Sequence, residues 1–152
     1  MDEWKHPTAK PAPIVDVPVG TPWPVAIAAG LLALAGLFTA VGGVQILAIV
    51  EVYSVFRYVP PLQIALGVGA IGTAAMLYDC RPIWAMLGAL LAFFMVVVGI
   101  VWNVFATMNG LFSLLTWLAV GLTMLAAVVV PFAIWPAKRT QEARLALAGG
   151  PF

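Results

Sequence analysis

Four apolar runs without a single Asp, Glu, Lys, Arg or His dictate most of what this chain can fold into: 24–50, 62–78, 83–107 and 111–135. A hydrocarbon core about 30 Å thick is crossed by roughly 17 to 25 helical residues, so each run is long enough to span it. Backbone N–H and C=O groups find no water in lipid and must be paired within the segment, which makes helices of these runs. A transmembrane barrel would need short segments of alternating polarity, and that pattern does not occur. Composition agrees. The chain is 64% apolar and 9% charged over 152 residues, where soluble domains sit near half apolar and a quarter charged. The expected fold is an all-α integral membrane protein, four transmembrane helices in an up-down bundle.

The breaks between runs carry turn chemistry. Pro60-Pro61 separates the first pair, 78–82 (Tyr-Asp-Cys-Arg-Pro) the second, and Met108-Asn109-Gly110 the third. Each combines polar residues with helix breakers. Short second and third loops force antiparallel neighbours. Residues 1–23 are a Pro-rich polar tail, expected to be extended, and 136–152 a basic tail, with the four-helix domain at 24–135. The polar leader is too long, and the run behind it too apolar for too many residues, to resemble a cleaved secretory signal.

Lys and Arg placement orients the bundle. Both tails and the middle loop fall on one side, with Lys5, Lys10, Arg81, Lys138, Arg139 and Arg144; the other side carries only Arg57. The excess predicts both termini in the cytoplasm. A multi-pass protein of the bacterial inner (plasma) membrane is the expected setting. Trp23, Trp84 and Trp135 then belong to an inner aromatic belt and Trp102 to the outer one, with Trp117 somewhat deeper.

Helix-packing surfaces are written in small residues. Reading the first run in sevens gives Ala26, Ala33 and Ala40, interleaved with Ala29, Gly36 and Gly43. Seams of this kind let helices approach closely. The second run offers Ala65, Gly69 and Thr73, and the third Ala85, Gly88, Ala92 and Gly99, with Met95 and Trp102 completing its face. In the fourth, Thr116, Ala119, Thr123 and Ala126 form a stripe with two hydroxyls. Threonine in such a helix ordinarily bonds back to its own backbone.

Little in the chain suggests catalysis. With no ionisable group in mid-span, proton relays and ion-coupled transport have no residues to run on. One cysteine and one histidine, Cys80 and His6, exclude an internal disulfide, a two-histidine haem site and the usual zinc sets from this chain alone. No phosphate loop and no nucleophile–base pair is present. Neither a cofactor nor nucleic-acid binding is expected. Cys80 lies between Asp79 and Arg81, a setting that could activate or acylate a thiol, although a juxtamembrane cysteine is usually left unmodified.

Four residues are candidates for contact with a partner or solute: Gln45, Glu51, Arg57 and Asn103. Gln45 lies opposite the small-residue seam, where it either reaches the interface or bonds a neighbouring helix. Asn103 caps the outer end of the third helix or, with Thr107 and Asn109, contributes to a polar site. The segment 51–61 reads as an interfacial helix, with Arg57 and Glu51 as a weak exposed pair or as part of a docking surface. The leading expectation is a non-catalytic small subunit acting through helix packing, with lipid and with other membrane chains or copies of itself. The alternatives are an oligomeric channel or carrier for a small neutral or hydrophobic solute, with Thr116, Thr123, Asn103 and Gln45 lining one path, and a lipid- or quinone-handling membrane enzyme subunit.

Overall fold

In the computed structural model the described residues are 20–49, 55–108 and 113–147, and all their regular structure is helical. Four helices are long and apolar enough to cross a membrane: α1 (Trp23–Ile49), α2 (Val59–Leu77), α3 (Pro82–Met108) and α4 (Leu114–Phe132). A fifth, α5 (Ile134–Leu147), follows after a one-residue break. At 1.5 Å per residue the 19-residue α2 and α4 are about 28 Å long, close to the hydrocarbon thickness. The 27-residue α1 and α3 reach about 40 Å and outrun it.

The helices close a ring in chain order, each packed on the next and α4 back on α1. Neighbours are antiparallel. Gly36 meets Gly67, Gly88 meets Thr73, and Asn103 meets Thr116. One end of the bundle, the tail end, therefore gathers the start of α1, the α2–α3 turn and α5. The other, the loop end, gathers the finish of α1 and α3 with the starts of α2 and α4. Large apolar side chains such as Leu34, Val68, Phe93, Val101 and Val128 point outward, as a lipid solvent allows.

Three boundaries differ from the sequence expectation, each for a local reason. The Pro60-Pro61 pair does not separate helices. Both prolines lie in the first turn of α2, where N–H groups have no intrahelical acceptor and proline fits without loss. Only a 3₁₀ turn, Val55–Tyr58, precedes it among the described residues of the 51–61 segment. The fourth helix stops at Phe132 rather than 135. Pro136 has no N–H for the Phe132 carbonyl and its ring would press on that group, so the chain breaks at Ala133 and restarts.

The basic tail is thus helical through Leu147. Ala137 and Thr140 bury one side of α5, and Arg144 Nη1 donates to the Asp79 carbonyl at 3.2 Å. Lys138 and Glu142 pair at 3.9 Å one turn apart, and the Arg139 guanidinium stacks 3.5 Å from the Trp135 ring centre. Such exposed contacts stabilise little; the buried side holds the helix against the bundle.

At the tail end the core is apolar. Val25, Leu32, Leu77, Val130 and Ala137 are enclosed there, and Cys80 with them at 0% exposure. Cys80 has φ 56°, the left-handed conformation that usually calls for glycine after a helix. Its side chain fills the core while Sγ donates to the Tyr78 carbonyl at 3.5 Å. The thiol is inside the bundle, not presented for attack or acylation. Trp102 also lies inward: it is buried against Ile46, Phe105 and Ala106, whereas Trp23 and Trp135 are exposed at the tail end.

Candidate site: a polar cleft between four helices

The loop-end half of the bundle is built differently. Each of the four spans contributes a buried polar side chain to this half: Gln63 from α2, Asn103 from α3 and Thr116 from α4 within about a turn of the helix end, and Thr39 from nearer the middle of α1. Thr123 lies deeper on α4. These residues line one cleft, together with Phe38, Gly42, Met95, Gly99, Ala119 and Val120. Gly42 and Gly99 make the room. A Cβ on Gly99 would come within 2.9 Å of Val120, and one on Gly42 would touch the Thr116 methyl at 3.6 Å.

Hydrogen bonds account for most of the polar atoms. Asn103 Nδ2 donates to the Gly99 carbonyl at 2.8 Å and, at 3.4 Å, to the Thr116 carbonyl across the helix interface. Thr116 Oγ1 donates at 2.6 Å to Asn103 Oδ1, and the Ser113 carbonyl is a second acceptor at 2.9 Å. The α3–α4 contact is therefore one side-chain to side-chain bond, with a return bond from the Asn103 amide to the Thr116 backbone carbonyl. In a membrane such a bond averages about 0.6 kcal/mol and reaches about 1.7. Thr39 and Thr123 donate back to the carbonyls of Ala35 and Val120, at 2.8 and 2.9 Å, as threonine in lipid tends to do.

Gln63 is the exception. It is 5% exposed, and its Oε1 has no hydrogen-bond partner among the described residues. Leaving a buried amide carbonyl unpaired costs about 1–3 kcal/mol. No charged group lines the cleft, and its free space matches about one water molecule. A chain of hydroxyl and amide groups can bind and orient; it holds no base, nucleophile or metal-ligand set. Among the described residues, no cluster of three His, Cys, Asp or Glu forms anywhere.

The residues singled out by sequence scatter across the bundle. On α1, Ala29, Gly36 and Gly43 are buried, while Ala26, Ala33 and Ala40 are half-buried beside them. A Cβ on Gly36 would lie 2.6 Å from the Gly67 carbonyl oxygen, and one on Gly67 would lie 2.5 Å from that of Gly36. A Cβ on Gly43 would meet the Pro60 carbonyl at 2.9 Å. The α1–α2 crossing is thus backbone against backbone, and Gly67, not named from sequence, is its centre. Gly88 and Ala92 are buried on α3. On α2, Ala65 is exposed and Gly69 only half-buried, with Leu91 4.0 Å from a Cβ there.

Of the three proposed contact residues that lie among the described residues, Gln45, Arg57 and Asn103, only Asn103 reaches the cleft. Gln45 is exposed, as is Thr107. Arg57 is exposed and occupied with Tyr58, hydrogen-bonding its hydroxyl and lying 4.6 Å from its ring centre. Glu51 and Asn109 lie outside the described residues, and with Glu51 its pairing to Arg57. Gln63 was the residue to find. It shares one helix face with Gly67, Ala70, Ala74 and Leu77, all buried, and that spacing marks an inward glutamine. No family model matches the chain, and neither the curated proteins nor the solved structures compared with it give a match.

Proposed function

We propose that this chain is a non-catalytic membrane subunit whose outer α2 face packs against a helix of another membrane chain or a second copy of itself. One observation carries the reading. Ala65, Gly72 and Ala75 are exposed on α2 as a gap between the exposed Leu62, Val68 and Met76, and nothing lies within 4 Å of where a Gly72 Cβ would be. A face that meets only lipid gains by carrying large side chains, as α3 does with Phe93, Val97 and Val101. Small residues one heptad apart, Ala65 and Gly72, are what a closely crossing helix uses. Nothing in the polar cleft supplies an acid, base or nucleophile, which supports a role in assembly over chemistry.

The Lys and Arg bias supports a cytoplasmic tail end. Arg81, Lys138 and Arg139 are exposed there, suited to anionic head groups.

Counting subunits by stepwise photobleaching of single particles in native lipid discs, with co-purified chains identified by mass, tests the reading. Wild type is expected as a defined oligomer or complex, and Gly72→Leu as a folded, smaller particle. A wild-type monomer with no companion chain would overturn it.

A further inference from the structure

We infer that the loop-end cleft is a binding site for one internal water molecule, held by Gln63 and shared between α2 and the helices facing it. Gln63 is 5% exposed and lines the cleft, and its enclosed amide oxygen has no protein donor among the described residues. The oxygen needs an O–H or N–H donor. A charged donor is excluded because no counter-charge lines the cleft, and a lone ion in this surrounding would be strongly disfavoured. The free volume matches about one water.

Partners for the remaining bonds of that water are at hand. Thr39 and Thr123 spend their hydroxyl protons on their own helices, which leaves oxygen lone pairs that accept. Buried waters typically make about three such bonds. Water also donates and accepts, so it satisfies either end of the Gln63 amide. The Asn103–Thr116 pair already joins α3 to α4 directly; the bound water gives α2 its own polar link into the same cluster. The site is independent of the outer α2 face and does not require a partner chain.

Water-edited solid-state NMR on the full chain in lipid bilayers tests this. Rapid magnetisation transfer from water to the Gln63 side-chain amide protons is expected, with transfer to the Asn103 amide in turn. In Gln63→Leu, transfer to Asn103 should fall severalfold while the Asn103 signal keeps its position. Wild-type Gln63 protons that receive nothing from water, or transfer to Asn103 that is unchanged in Gln63→Leu, would overturn the assignment. The wild-type measurement decides the question even if the variant does not fold.

Discussion

The two sides of α2 use the same residue types for opposite ends. Inward, Gly67, Ala70 and Ala74 are buried, and Gly67 lets the α1 backbone come close enough that a methyl group would strike a carbonyl. Outward, Ala65, Gly72 and Ala75 are exposed, and Gly72 faces open space. Small residues permit close approach; they do not say to what. The inner face has been used by α1, and the outer face is free for another helix.

Substitutions along α2 should affect its two faces differently. The largest effect is expected at Gly67→Leu, where the side chain would have to displace backbone atoms of Gly36 and Ala40. Overpacking of a tight interior, backbone shifts included, typically costs about 1–3 kcal/mol and occasionally more; leucine adds three further carbons beyond the clashing Cβ, so this variant should fail to give a folded particle on reversible SDS unfolding. Gly36→Ala should be intermediate, destabilised by about 1–3 kcal/mol in the same assay. Gly72→Leu should leave unfolding within about 0.5 kcal/mol of wild type while weakening association roughly tenfold, equivalent to about 1.4 kcal/mol. Equal loss of fold at Gly67 and Gly72 would erase the distinction between the faces. The smallest effect belongs to Gly69→Ala, whose new methyl meets Leu91 at an ordinary 4.0 Å; a change within about 0.5 kcal/mol is expected.

The spans could be read from sequence because lipid imposes one rule, a long uncharged helix, and the chain obeys it four times. Which face points inward could not. Along 24–50 alanine and glycine occur almost all round the helix, so both the heptad seam with Gly36 and Gly43 and the adjoining row with Ala28, Ala35 and Gly42 are buried. On α2 the Ala65–Gly69 ridge and the Gly67 face look alike as strings, and only the position of α1 separates them. Likewise Gln45 and Gln63 are near equal in depth along their helices, yet one is exposed and the other enclosed. The fifth helix was hidden because its buried side is only Ala137 and Thr140, too short a stripe to stand out among charges. Asn103 was visible as a polar residue, but its pairing with Thr116 depends on the antiparallel register of two helices, which no local pattern encodes.

We propose that protein, not lipid, covers the outer α2 face. The most direct test is site-specific photo-crosslinking in native membranes, with a benzophenone side chain placed at Gly72 and, for comparison, at Val128 on the exposed surface of α4. A discrete protein adduct is expected from position 72, identifiable by mass as a second copy or another chain, and only lipid adducts from position 128. Lipid adducts alone from both positions would contradict it.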